Sequence, residues 1–214
     1  MANYVKTDDE MVFDALVTLS KCLDRRAGKE VNHLDAEELA AFHEEHVERA
    51  KAVQGNKMQK EYVLEQGSER HYVKFVDLRL ISIKNNKEVS AFMDAHAKES
   101  KIIVMRDWMQ KIVKQFLVYP KTEVFQLFEL QVDVTEHQFQ PYFSVVADKN
   151  ELIVAHDNIK LASYPKLLQY DPVARYFGLQ PRDVVRVKRP GLNSGYAIIY
   201  REVVEQDISD LFGD

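Results

Sequence analysis

Asp171-Pro172-Val173-Ala174-Arg175-Tyr176-Phe177-Gly178 reads as one complete short helix with both of its ends marked. Asp171 carries the side-chain oxygen that an N-cap position uses to accept an orphan backbone N–H. Pro172 suits the first turn, where its missing N–H costs nothing and its fixed φ is already helical. Gly178 suits the left-handed residue that closes a helix. These three residues have a structural job. Arg175 and Tyr176 between them are candidates for partner contact, because arginine and tyrosine concentrate at interface hot spots.

C-terminal to this block, Val184 to Lys188 and Tyr196 to Val203 are strand-like. Pro190-Gly191-Leu192-Asn193-Ser194-Gly195 joins them, which predicts a hairpin with a longer loop. Period-two alternation puts Arg186 and Lys188 on one face of the first strand and Val185 and Val187 on the other. Arg182, Arg186, Lys188, Arg189 and Arg201 gather on or beside this hairpin. Two readings of that basic cluster stand: a solvated strand face, or a surface for an acidic partner or nucleic acid. Residues 205–214 carry Glu205, Asp207, Asp210 and Asp214 with no basic residue, which reads as an acidic tail.

N-terminal to the block, helices and strands alternate. Thr7-Asp8-Asp9-Glu10 is a capping box. Behind it Val12, Ala15, Leu16, Leu19 and Leu23 recur at helical spacing, with Gly28 as the expected stop. Asp35 and Glu38 repeat the capping pattern ahead of Leu39, Phe42 and Val47, predicting a second helix. The polar stretch from Lys51 to Lys60, with Gly55-Asn56, predicts a loop. Tyr62-Val63-Leu64 and His71 to Val76 are β-rich runs parted by Gly67-Ser68, a hairpin signal. Leu80 to Ile83 reads as a further strand, residues 87–98 as a helix, and Ile102-Ile103-Val104-Met105 as a buried strand. Residues 107–117, with Trp108, Ile112, Val113 and Phe116, read as a helix ended by Pro120. Strands alternating with helices predict an α/β domain reaching to about residue 130.

Composition narrows the function classes. The 214 residues allow one large domain or two small ones. A net charge of −5 argues against broad coating of nucleic acid, since a stand-alone DNA binder carries a basic surplus. No apolar run is long enough to span a membrane, so no membrane association is expected. The opening MANYVKTDDE has neither a basic start nor an apolar stretch, so no secretory signal is expected. The single cysteine, Cys22, has no internal partner and fits a reducing compartment as a small buried thiol.

The sequence carries little recognisable catalytic chemistry. His43-Glu44-Glu45-His46 places its histidines three apart, whereas a zinc-protease helix needs them four apart, so a solvated helix face is expected. No phosphate-binding glycine loop and no G-x-S-x-G elbow occurs. One enzymatic alternative is a metal-dependent nuclease in the N-terminal α/β domain, with Asp77 on a strand and Glu99 and Lys101 leading into another. The plainer reading makes Glu99 and Lys101 ordinary surface charges at a helix–strand junction. No metal and no cofactor is expected.

From Val134 to Val203 the sequence resembles the assembly domain of the fifth common subunit of the eukaryotic nuclear DNA-directed RNA polymerases, whose archaeal counterpart looks like this domain alone. The residues that carry the resemblance are Thr135-Glu136-His137, Pro165-Lys166-Leu167, the block Asp171 to Gly178, Val184-Val185, Arg189-Pro190, and Gly195-Tyr196 leading into Tyr200-Arg201. The first 133 residues resemble, more weakly, the eukaryotic N-terminal jaw domain. The resemblance implies an α/β N-terminal jaw domain over 1–133, a small α+β C-terminal assembly domain over 134–204, and the tail over 205–214.

It further implies a non-catalytic subunit, one copy per complex, that docks on the largest polymerase subunit among the other subunits. The jaw would stand beside downstream duplex DNA, in the nucleus or, for a virus-encoded copy, in the infected cell or viral particle. His137, Arg175, Tyr176, Arg189, Tyr196 and Arg201 are the candidate partner contacts, and Pro165 and Pro190 join Asp171, Pro172 and Gly178 as structural residues. His137 is expected as a hydrogen-bonded core or interface histidine. The family's Thr-Pro turn near DNA is replaced here by Arg106-Asp107-Trp108-Met109-Gln110-Lys111, so Arg106, Lys111 and Lys114 are the candidate DNA-proximal residues.

Overall fold

The computed structural model describes residues 6–27, 36–55, 59–77, 80–107, 109–137, 139–155, 160–191 and 195–207. The described chain forms two compact units that divide between Val132 and Asp133.

The first unit opens with α1 (Asp8–Arg26), started by the capping box: the Thr7 hydroxyl accepts from the Glu10 N–H at 3.3 Å, and the Thr7 N–H donates to Glu10 Oε2 at 2.7 Å. The expected stop at Gly28 and the expected cap at Asp35 lie outside the described residues. The second helix, α2 (Ala36–Gln54), outruns its prediction. The stretch from Lys51, expected as loop, continues the helix to Gln54, because Lys, Ala and Gln are good helix formers whatever their polarity.

Strands β1 (Glu61–Gln66) and β2 (Glu69–Val76) form the predicted hairpin, with Gly67 at φ +58° taking the left-handed conformation the tight turn needs. Then follow α3 (Lys87–Ala95), β3 (Ser100–Met105), α4 (Gln110–Leu117) and β4 (Thr122–Gln126). The sheet order is β1-β2-β3-β4, with β1 antiparallel to β2 and the other two pairs parallel. This is the α/β arrangement that the alternation of elements implied.

Three local expectations change. Leu80 to Ile83 is not a strand: Leu80 and Ile83 are buried, but the Ile83 N–H goes to the Gln115 side chain at 3.2 Å rather than to a ladder. The α4 helix starts at Gln110, three residues later than its pattern suggests, and Trp108 lies outside the described residues. Thr122 to Gln126 carries no strand signal that stands out in the sequence, yet it closes the sheet, pairing Ile103 with Val124 and Val104 with Phe125.

The core of this unit lies between α1 and one face of the sheet. Val12, Leu16 and Leu19 meet Tyr62, Leu64, Val73, Phe75, Ile102, Val104 and Phe125. Arg26 at the end of α1 holds Glu123 of β4 through two parallel bonds of 2.7 and 2.8 Å. Cys22 is buried, as its sequence context predicted.

The second unit contains β5 (Tyr142–Val145), α5 (Lys149–Ala155), β6 (Lys166–Leu168), α6 (Pro172–Tyr176), β7 (Val184–Gly191) and β8 (Gly195–Val204). Its sheet order is β5-β7-β8-β6, antiparallel except for the β6–β8 pair. The hairpin is tighter than predicted. Gly191 pairs with Gly195 and Pro190 with Tyr196, so Pro190 belongs to the strand rather than to the loop. At Pro190 the strand has a neighbour on one side only, a setting that tolerates proline. Leu167, Ala174, Leu179, Val185, Val187 and Val203 form the core under α6, while Leu152, Tyr164 and Val184 pack with Tyr200 on the other face.

Candidate partner-docking surface

The helix that decided the fold is built as its residues demand. Asp171 Oδ1 accepts the Val173 N–H at 2.9 Å, and Gly178 leaves the helix at φ +64°. Ala174 and Leu179 anchor it in the core. Tyr176, expected as a partner contact, is instead buried at 4% exposure. Its phenol donates to Asp133 Oδ2 at 2.9 Å, while Asp133 Oδ1 accepts from the Thr135 N–H at 2.9 Å and from its hydroxyl at 2.6 Å. The hydrogen-bonding end of Tyr176 is committed within the chain. Arg175 is half-buried beside Tyr170, whose phenol pKa is raised first by burial and then by the nearby Asp207 carboxylate.

The sheet sorts the remaining candidates by face, because directly opposed residues of an antiparallel pair share a face. Tyr142, Lys188 and Ile198 lie in one row, and Pro190 and Tyr196 in the next row on the same face. Tyr196, Ile198 and Tyr142 are 53%, 48% and 43% exposed, and Lys188 Nζ stands 4.3 Å from the centre of the Tyr196 ring. Arg186 continues this face, opposed to Tyr200. Arg201 and Arg189 belong to the other face, opposed to buried Val185 and to Ala197. The basic cluster of the hairpin is therefore split between two faces. Tyr142 was missed in the sequence because β5 has only four residues, and Ile198 because its place beside Tyr142 and Lys188 is set by strand register.

His137 is exposed, not a core histidine. It follows a 3-10 turn over Val134–Glu136, and its Nδ1 accepts the Phe139 N–H at 3.3 Å. Its ring lies 5.7 Å from that of Phe139, which is 81% exposed. Pro165 is exposed, with its carbonyl accepting the Glu202 N–H at 3.0 Å where β6 joins β8.

In the first unit, Arg106 follows β3 and donates to Asp8 Oδ1 at 2.7 Å, with Asp77 at 3.9 Å. The bond to Asp8 raises its pKa further above the usual range. Lys111 and Lys114 are exposed on α4. Among the three candidate DNA-proximal residues, the structure thus ties Arg106 to the start of α1.

The nuclease alternative finds no support in this geometry. Register pairs Lys101 with Tyr72, and Asp77 lies five residues beyond Tyr72, about 16 Å at the rise of a strand. Lys101 is no surface charge either. It is fully buried, and Nζ donates to the carbonyls of His96, Glu99 and Pro120 at 2.8, 2.9 and 3.0 Å. The ammonium thereby ties the turn after α3 to the turn before β4, and burial pushes its pKa down. His46 also departs from the expected solvated face, which holds for His43, Glu44 and Glu45. It is fully buried, with Nδ1 2.7 Å from the Phe42 carbonyl and Nε2 3.2 Å from Asp24 Oδ2. Among the described residues no three His, Cys, Asp or Glu side chains converge as a metal site, and no helix is long and apolar enough to cross a membrane.

The chain has relatives among known proteins. Residues 132–203 match the family described as RNA polymerase Rpb5, C-terminal domain. The chain is 31% identical over 133 residues to the DNA-directed RNA polymerase subunit 5 of Acanthamoeba polyphaga mimivirus, a match covering 62% of this chain and 64% of that relative. It is 34% identical over 142 residues to the DNA-directed RNA polymerases I, II, and III subunit RPABC1 of Caenorhabditis briggsae, covering 64% of this chain and 67% of the relative. A 76-residue stretch, 35% of this chain, is 37% identical to the DNA-directed RNA polymerase subunit Rpo5 of Methanocaldococcus jannaschii and covers 97% of it. With a family match over residues 132–203 and relatives in a virus, a nematode and an archaeon, the chain belongs to the family of subunit 5 of the DNA-directed RNA polymerases.

Proposed function

We propose that the chain is a non-catalytic subunit of a multi-subunit DNA-directed RNA polymerase, present once per complex. Residues 134–204 form the assembly domain that docks on the largest subunit, and residues 1–133 form a jaw beside downstream duplex DNA. Residues 205–214 are an acidic tail on the assembly domain. The observation that carries this reading is the family match over 132–203, which falls on the unit whose sheet presents the open row Tyr142, Lys188, Ile198 with Tyr196. Two exposed tyrosines beside an exposed isoleucine have the composition of an interface anchor. Arg175, Arg189, Arg201 and His137 flank the unit as further contacts.

Nucleotide addition and its metal ions belong, in this reading, to the partner subunits. The net charge of −5 fits a chain that meets DNA only inside an assembly, with Lys111 and Lys114 towards the duplex. The place of action is the nucleus, or the infected cell for a virus-encoded copy.

Affinity purification of the tagged full chain from its native source tests the proposal. Stoichiometric recovery of the two largest polymerase subunits is expected, with loss on deleting Val134–Val203 and a marked reduction for Tyr196→Ala. Recovery of the chain alone, or undiminished recovery after the deletion, would overturn it.

A further inference from the structure

Strand β1 is the edge of the first sheet, and its pairing with β2 leaves one set of backbone groups turned outward. The Phe75 N–H donates to the Lys60 carbonyl at 2.8 Å, which makes that pair a hydrogen-bonded one in the same register. Antiparallel pairs alternate, so Tyr62 and Leu64 bond inward to β2, whereas the N–H and C=O groups of Glu61, Val63 and Glu65 face away from it. Among the described residues nothing bonds those outward groups. The side chains alternate as well. Tyr62 and Leu64 are buried against α1, and Glu61, Val63 and Glu65 stand on the opposite face, exposed.

Val63 opens into a groove of about 380 Å³ that it shares with Tyr72, Phe92 and His96 and that reaches round the strand edge to Tyr62 and to Val53 of α2. The Tyr72 and His96 rings stack at 3.8 Å, giving it an aromatic floor.

We propose that this edge accepts an extended segment of a partner protein as an added strand, with an apolar residue opposite Val63 and basic residues two positions to either side. The outward ladder supplies main-chain affinity, and the groove takes the apolar side chain. Charge decides the partner. A strand centred on Val63 sets its flanking residues opposite Glu61 and Glu65. A second copy of this chain is disfavoured by the same count: antiparallel pairing about Val63 places Glu61 against Glu65 twice, and parallel pairing places each glutamate beside its own counterpart. Like charges directly opposed are destabilising, and opposite charges stabilising. Lys74, at 4% side-chain exposure, already holds Glu61, so the stronger call for a basic residue falls opposite Glu65, whose pair with Arg70 is solvent-screened at 65% and 67% side-chain exposure.

The probe is the capped heptapeptide Gly-Arg-Thr-Val-Thr-Arg-Gly, titrated into the full-length chain while backbone amide resonances are followed. Saturable shifts centred on the amides of Glu61, Val63 and Glu65 are expected by about 1 mM peptide. The version with glutamate in place of both arginines binds more weakly, and Glu65→Lys reverses that preference at its position. Val63→Pro removes an outward N–H while leaving the inward ladder intact, and it weakens the arginine peptide about tenfold. Should that variant unfold, the Glu65→Lys reversal carries the test. No shift up to about 1 mM, shifts elsewhere, or equal binding of both peptides would overturn the proposal. So would concentration-dependent broadening of the same amides without peptide, which would mark self-pairing.

Discussion

The phenol of Tyr176 donates a 2.9 Å hydrogen bond to Asp133 Oδ2, and both side chains are buried. The bond joins the short helix α6 to the residue that opens the second unit, 43 positions earlier. Tyr176→Phe keeps the ring and deletes the donor, leaving a buried carboxylate oxygen short of one bond. A loss of about 1–3 kcal/mol in the stability of that unit is expected, measured by urea unfolding of the full chain. An unchanged midpoint would mean that the bond is replaced by water.

Gly178 tests the helix end separately. Its φ of +64° lies where a Cβ clashes with the following carbonyl. Gly178→Val is expected to cost about 1–2 kcal/mol in the same unfolding transition, while the first unit is unaffected.

Lys101 donates to the carbonyls of His96, Glu99 and Pro120, with that of Ala97 at 3.4 Å, from a position with no solvent exposure. Lys101→Met fills similar volume but withdraws the ammonium from those acceptors, while the His96 carbonyl keeps the Glu99 N–H and the Pro120 carbonyl keeps the Thr122 hydroxyl. The first unit is expected to lose about 3 kcal/mol, read from chemical denaturation, with earlier opening of amides in β3 and β4 by hydrogen exchange.

Burial holds the His46 pKa below its ordinary value, despite the Asp24 carboxylate beside it. His71, buried beside Ser100, is lowered for the same reason. For such a histidine the unfolded chain takes up the proton first. Stability is fully present above the unfolded pKa of about 6.5 and falls as pH drops from there towards the folded value. The first unit should therefore be less stable at about pH 5.5 than at about pH 7.5. His46→Gln is expected to flatten part of that slope, and a slope unchanged in His46→Gln would assign the effect to His71 alone.

Local chemistry was legible wherever it is decided within a few residues. The Thr7 capping box, the Gly67 turn and the Asp171–Gly178 helix all follow from side chains that bond or shape their own backbone. The alternation of Val185 and Val187 with Arg186 and Lys188 likewise named the buried face of β7 from one strand alone. What these signals do not contain is distance between segments. Tyr176 reads as an interface residue until Asp133 is seen beneath it. Lys101 reads as a surface charge until the turn at Pro120 and the end of α3 are folded around its ammonium.

The same limit explains β4 and β5. A short strand at a sheet edge draws its stability from the neighbour it pairs with, so its own five or four residues need carry little pattern. The sequence by itself determined the helix caps, the turns, the buried faces and the family. Tertiary structure alone decided which charges are caged, which aromatic rings stay exposed and which strand edge is left open. Those outcomes depend on desolvation and hydrogen-bond partners supplied by residues far away in the chain.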